Sequence, residues 1–517
     1  MSTEQSQASF TSANAWWLGG SALLFLALFA RAVFNFSWPI NHDCAMYVDA
    51  GRLVLQGKVP YVDFIDLNPP LIFYISAIPA YMSQLSNIDL DKCFSSFICL
   101  IGLLSWLLIY GIARGFRGTE SNFIGPILFG LAAFNFCVGE WGEFGQRQHL
   151  VAMAIVPFII LRWLRSQNAV VCPWLAMTAG LFLGLGLDLV PQYVLVPLAF
   201  ECCLHGKKLN LRRFLSPEIF ATIFCGIAYG ALILLLPKPA IDAFTGRWMP
   251  LTAQGYAAYN ASWEAFTTFP FLIGCLPLFF TASFMAHKDK CSLSLPLFVF
   301  CASAYIAAVV QCKGWFNHYL PLFVGSILFV CVQVEARSSG MKRPTPAHFR
   351  LFTATALLVI CAAPSIIIRE TIAYPQGELE TLKRETQPGD AIMVLSTAVP
   401  DIYPPLLLAK CVNGSRYLFY FPLEMLRYQE KHAKTAEARA LAVQKQGEVI
   451  AEIAEDISKS KPKLILIPLG KTAAEQDNSM VKYFRQSGLM ERISTKYTKG
   501  VDTEGRKTVF EVWIRNR

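Results

Sequence analysis

Residues 93–113 read CFSSFICLIGLLSWLLIYGIA, an apolar run with no charged side chain. A bilayer-spanning helix needs roughly 20 such residues. Comparable runs occupy Trp16–Phe36, Phe123–Gly139, Leu215–Leu236 and Phe349–Ile368, and none follows. The 517-residue chain is 54% hydrophobic and 13% aromatic, with a mean hydropathy of +0.43, richer in apolar residues than an ordinary soluble domain. Lipid is therefore its expected solvent. Met1–Ala15 carries Glu4 and no basic residue, so it lacks the positive start of a cleavable signal peptide. These residues read as a cytoplasmic N-terminus, and Trp16–Phe36 as a retained first span. Most of the fifteen cysteines, Cys99, Cys225, Cys301 and Cys361 among them, lie in apolar runs, where cysteine is a small hydrophobe.

The formal charge of +9 is spread in short clusters between apolar runs. That is the pattern of cytoplasmic anchors rather than of a nucleic-acid-binding face. Arg114/Arg117, Arg162/Arg165, Lys207/Lys208/Arg212/Arg213, Lys288/Lys290 and Arg337/Lys342/Arg343/Arg350 mark inner loops. Acidic or mixed loops alternate with them: Asp43 to Lys92, Glu140 to Gln148, the turn at Asp188, Lys238 to Glu264, and Gln311 to Asn317. The alternation requires Pro69–Leu85, broken by Pro69, Pro70 and Pro79, to be a shallow re-entrant helix instead of a span. The expected architecture is an all-α polytopic membrane domain over residues 16–368 with about eleven spans. A small α/β domain, residues 369–517, follows outside the cytoplasm. For a bacterial chain that places the protein in the inner (plasma) membrane. The terminal segment has strand-like runs at Ala391–Ser396, Lys463–Pro468 and Thr508–Ile514. Leu423–Ser458 has helical spacing and suits either a helix covering the sheet or a partner-binding face.

Chemistry is expected on the outer loops. Asp43 follows the first span in Asn41-His42-Asp43-Cys44-Ala45-Met46-Tyr47. A carboxylate at the membrane surface can take the proton of an incoming hydroxyl, although an ordinary loop aspartate occupies the same place. Further on stand Gly57-Lys58-Val59-Pro60-Tyr61-Val62-Asp63-Phe64 and Pro69-Pro70-Leu71. Through these motifs the chain resembles the GT-C-type glycosyltransferases, which include protein O-mannosyltransferases and lipid A aminoarabinose transferases. The resemblance covers most of residues 16–336. It implies transfer of a sugar from a polyprenyl-phosphate carrier to an extracytoplasmic glycan, lipid or protein acceptor, with Asp43 at the catalytic-base position. Cys44 stands where many members carry Glu. No cofactor is required by this pattern, and participation of a divalent metal stays open.

The second outer loop, Gly139 to Leu150, offers Glu140 and Glu143 for sugar or acceptor hydroxyls, Arg147 for a bidentate grip on phosphate, and His149 beside them. Glu143 and Arg147, four apart, could equally pair with each other on a helix end. Asp188 reads either as a ligand-binding acid or as a surface acid. In Gln311-Cys312-Lys313-Gly314-Trp315-Phe316-Asn317-His318, Lys313 and His318 suit a phosphate that gains charge as the sugar leaves. The competing role for Lys313 and Trp315 is interfacial anchoring. Arg247 is a further phosphate candidate, and Tyr256 and Tyr259 are candidates for holding sugar or acceptor. A transporter is the main rival reading, because charges near spans also mark substrate pathways. A catalytically inactive scaffold relative is the other.

Overall fold

A computed structural model of the chain describes residues 3–34, 40–114, 116, 120–205, 216–262, 292–338, 376–472, 479–505 and 508–516. The clusters Lys207/Lys208/Arg212/Arg213, Lys288/Lys290 and Lys342/Arg343/Arg350 and the expected span Phe349–Ile368 lie outside the described residues. The helices begin with α1 (Thr3–Phe34), α2 (His42–Leu55), α3 (Leu71–Ser86), α4 (Leu90–Ala113), α5 (Ile124–Glu140), α6 (Arg147–Ser166), α7 (Pro173–Leu189), α8 (Leu195–His205) and α9 (Pro217–Leu234). Ser294–Val309 and Leu320–Ser338 continue the series. Among the described residues six helices are long and apolar enough to cross a membrane, and three more are apolar but shorter.

The chain forms two compact units. The first takes Met1–Trp38, Lys92–Leu232 and Ala261–Thr371 and holds all six long apolar helices. Its centre is α5, α6 and the helix Leu320–Ser338, whose side chains are mostly buried. At its margin α9 exposes Phe220, Ile223, Phe224 and Ile227, and α4 exposes Leu100, Leu104 and Leu107 along one stripe. Apolar stripes of this kind on spanning helices are what a lipid-facing surface carries. α7 and α9 approach closely: a Cβ on Gly180 would stand 2.0 Å from the Glu218 carbonyl oxygen, and one on Gly184 would stand 2.4 Å from Cys225 Cβ. Two glycines four apart on one helix face let backbones meet, and Thr222 Oγ1 donates to the Gly180 carbonyl across the seam at 2.9 Å. Gly180→Leu is expected to cost about 1–3 kcal/mol or more through overpacking. Thermal unfolding in detergent measures it.

Arg162 is not a loop anchor. It lies inside α6, 3% exposed, with Nε 2.5 Å from Glu201 Oε1 and Nη1 2.6 Å from Glu218 Oε1. Arg165 reaches Glu218 at 3.0 Å, and His205 reaches Glu201 at 3.3 Å. Periodicity could not reveal this cluster because its partners come from α8 and α9.

The second unit takes Pro39–Asp91, Ile233–Asn260 and Ile372–Arg517, so the C-terminal sheet shares a core with the first loop and with a segment after α9. α3 belongs here and not with the spans; at 16 residues, with Pro79 inside, it is short for a crossing helix. It packs on α2 at Gly51, where a Cβ would lie 2.4 Å from the Ser76 carbonyl carbon. The sheet contains β1 (Ala391–Val394), β2 (Val412–Asn413), β3 (Leu464–Pro468), β4 (Tyr497–Lys499), β5 (Thr503–Glu504) and β6 (Val509–Arg515). Its order is β2-β1-β3-β6-β4, with β5 also on β6. β1 runs parallel to β2 and β3, whereas β6 is antiparallel to β3, β4 and β5. The central run LILIP of β3 is wholly buried, as expected of a strand covered on both faces. The helical stretch expected over Leu423–Ser458 is two helices, Phe421–Lys431 and Ala436–Ser460. Thr435 is extended between them and accepts from the Ala438 N–H at 3.1 Å, which caps a new helix start. Ile65 joins this unit to the first loop: its N–H donates to the Arg416 carbonyl at 2.7 Å, and its carbonyl accepts from the Leu418 N–H at 3.1 Å.

Candidate functional site

In the first unit the loop between α5 and α6 turns sharply at Gly145 (φ +87°) before α6 begins at Arg147. A Cβ on Gly145 would stand 2.4 Å from Phe94 Cζ, so only glycine fits this backbone. His149 holds the turn: its Nδ1 accepts from the Gly145 N–H at 3.1 Å, and its Nε2 meets Asn135 Oδ1 at 3.1 Å. Both ring nitrogens are thus used by the protein, and His149 positions the loop. Arg147 stands in the first turn of α6, the positive end of the helix dipole. Glu143 lies half-buried in the preceding turn. Glu140 forms an ion pair with Arg31 of α1.

Lys313 and His318 come to the same place from the loop after Ser294–Val309. The turn Phe316–Tyr319 packs against α6, and the charges of Arg147 and Lys313 both act on His318. Lys313 is only 4% exposed, and burial holds its ammonium below the ordinary lysine range. Trp315 stands edge-on to His318, ring centroids 5.3 Å apart. The hydroxyl of Tyr193, from the turn after α7, donates to the His318 carbonyl. Tyr193 had no role in the sequence reading, and no local signal marks it. Asp188, in the last turn of α7, lies half-buried near α9, with Oδ1 3.8 Å from a Cβ built on Gly226.

In the second unit Asp43 stands in the first turn of α2. Asn41 caps that helix, its side-chain oxygen accepting from the Asp43 N–H at 2.9 Å. The Asp43 carboxylate is about a quarter exposed, and His42 Nε2 lies 3.6 Å from it. Cys44 beside it is wholly buried. Further along α2, Asp49 accepts from Arg52 at 2.6 Å and from Tyr403 Oη of the C-terminal segment at 3.0 Å. Arg247 is committed elsewhere: its guanidinium makes a bidentate pair with Glu452 at 2.8 and 3.1 Å, and Tyr417 donates to the same carboxylate. Tyr256 and Tyr259 meet at 5.9 Å, and the Tyr259 hydroxyl is pushed up by burial, then by Glu424, Tyr256 and Asp66. Among the described residues no three or more His, Cys, Asp and Glu side chains group as a metal site.

No protein-family model matches the chain. Over 65 residues, 12% of this chain and 14% of the relative, it is 38% identical to a dolichol phosphate-mannose mannosyltransferase of Haloferax volcanii. Its fold matches the crystal structure of ArnT from Cupriavidus metallidurans bound to undecaprenyl phosphate, with a TM-score of 0.56 at 10% identity over 96% of this chain and 98% of that one. The apo crystal structure of ArnT gives a TM-score of 0.52 at 10% identity, over 97% and 98% of the two chains. The chain is therefore an integral membrane protein with an ArnT-like fold, mostly helical, with a small C-terminal sheet.

Proposed function

We propose that this chain is a membrane glycosyltransferase that moves a sugar from a polyprenyl-phosphate carrier to an acceptor outside the cytoplasm. The observation that carries the reading is the gathering of Arg147 and buried Lys313 around His318 in the first unit. Two neighbouring cations partly withdrawn from water form a site that suits an anion. The fold likeness to a protein bound to undecaprenyl phosphate supports a lipid phosphate as that anion. Asp43 is the base: its carboxylate takes the proton of the acceptor hydroxyl as the oxygen bonds to the sugar's anomeric carbon. The carbon–oxygen bond to phosphate breaks, and the electron pair leaves with the phosphate. Arg147 and Lys313 meet the charge that develops there. One displacement inverts the anomeric centre and needs no nucleotide. The test is sugar transfer from a polyprenyl-phosphate donor in membranes containing the protein, and its absence with every donor sugar overturns the reading.

The phosphate role has its own readout. Lys313→Ala is expected to weaken binding of undecaprenyl phosphate about ten- to hundredfold, the worth of a charge-assisted hydrogen bond, at unchanged protein abundance. Loss of folded protein alone would instead make Lys313 an anchor. Because burial lowers the Lys313 pKa, its charge in the free protein is lost at lower pH than that of an ordinary lysine. Carrier affinity should accordingly fall as pH rises, before the usual lysine range, and Lys313→Ala should flatten that fall. A cysteine placed at Glu143, and the exposed native Cys312, are expected to react with an impermeant reagent added from outside; labelling only from inside reverses the orientation.

A further inference from the structure

Among the buried polar atoms of the first unit that have no hydrogen-bond partner in the described residues, four lie close together in the fold: Gln148 Oε1, Asn317 Oδ1, His318 Nδ1 and the Tyr319 hydroxyl. Their residues are 2%, 9%, 4% and 0% exposed. They belong to two stretches that pack on each other, the first turn of α6 and the turn Phe316–Tyr319. Native proteins leave few buried polar atoms unpaired, because each costs free energy that a partner would return. Neighbouring His149, by contrast, has both ring nitrogens paired.

The chemistry of these four groups differs from that of the cations beside them. Arg147 and Lys313 are the cations proposed for the phosphate. An amide reads a hydroxyl in either orientation, since a hydroxyl both donates and accepts. An unpaired amide oxygen gains nothing from a phosphate oxygen, which brings no proton. Next to its phosphate, a loaded carrier presents one dense set of hydroxyls, the sugar ring.

We infer that Gln148 and Asn317, with His318 and Tyr319 beside them, form the part of the donor site that reads the sugar: a neutral, polyhydroxylated ring attached to the phosphate held by Arg147 and Lys313. The inference rests on the proposed donor chemistry and assigns to it the residues that distinguish a loaded carrier from an empty one. Gln148 and Asn317 determine specificity, and a site built to pair with hydroxyls penalises a ligand that lacks them.

The experiment uses the full chain in detergent with two near-isosteric variants, Gln148→Met and Asn317→Leu. Binding is measured for bare undecaprenyl phosphate and for the same carrier bearing mannose, glucose or arabinose. Wild-type protein is expected to prefer at least one glycosylated carrier to the bare one. Each variant should lose about tenfold of that preference while binding bare carrier within about threefold of wild type, about half of that loss in free energy. The unfolding temperature of each ligand-free variant should rise, because a buried amide oxygen without a partner has been removed. A purely structural role would lower it. If the variants melt lower and lose both ligands alike, or keep the preference, the assignment is overturned. If wild-type protein binds bare carrier but prefers no glycosylated form, the sugar assignment falls and the phosphate site stands. If it binds no carrier at all, the proposed function itself fails.

Discussion

Asp43→Asn is expected to lower sugar transfer by about a hundred- to ten-thousandfold, the usual contribution of a positioned general base, while the protein reaches the membrane at normal abundance. Asparagine keeps the size of aspartate and one acceptor oxygen but takes no proton at neutral pH, so the substitution removes the base and little else. The local structure supports that separation. The helix start at Asp43 is held by Asn41 through the Asp43 backbone N–H, which asparagine retains, and the side chain is partly exposed, so no core contact is lost. The positive end of α2 favours a carboxylate at this position, a preference worth about 0.3–1 kcal/mol, so the stability cost should be small. Binding of undecaprenyl phosphate should be unchanged, because the step affected is proton removal from the acceptor. A variant that transfers sugar within about threefold of wild type, a factor worth only about 0.7 kcal/mol in barrier, removes Asp43 as the base and makes Glu143 the next carboxylate to test.

Arg162→Met should cost about 3–5 kcal/mol of stability, since removing one partner leaves its buried counter-ions uncompensated. Glu201 and Glu218 are 5% and 0% exposed, and both meet the Arg162 guanidinium, one from α8 and the other from α9. Arg165 and His205 stay near them but do not replace the short, paired contacts. The triple replacement Arg162→Met, Glu201→Met, Glu218→Met removes the charges together and should recover most of the loss, because apolar groups of similar volume can fill such a site at little cost. Denaturant unfolding of the purified protein in micelles distinguishes the cases. A single Arg162→Met variant as stable as wild type would mean that the cluster holds no stability. The triple variant should also bind undecaprenyl phosphate as wild type does, because none of its residues takes part in the proposed chemistry.

What the sequence by itself determined about this protein is whatever depends on local composition and period. The run Cys93–Ala113 requires a lipid-spanning helix, since it is long enough and carries no charge, and α4 covers it. The strands at Ala391–Val394, Leu464–Pro468 and Val509–Arg515 fall where short apolar runs lie between turn residues. The motif residues around Asp43 could also be recognised from the order of the chain alone, because they are contiguous. The short strands β2, β4 and β5 could not, since a segment of two or three residues becomes a strand only through the neighbour it pairs with.

Tertiary structure decided the partners. A charged side chain reads the same in sequence whether it faces water, a ligand or another charge. Thus Arg162 looked like an anchor and is the centre of a buried cluster, and Arg247 looked like a phosphate ligand and is held by Glu452. His149 and Gln148 are adjacent and look alike as loop polar residues. One is pinned by Gly145 and Asn135, and the other keeps an unpaired oxygen. The second unit draws three distant stretches of chain into one core, and the reason is geometric: α2 and α3 meet at Gly51, and Ile65 bonds to the backbone at Arg416 and Leu418. Contacts between residues hundreds of positions apart leave no periodic trace, so only the folded chain shows which polar groups are spent on holding it together.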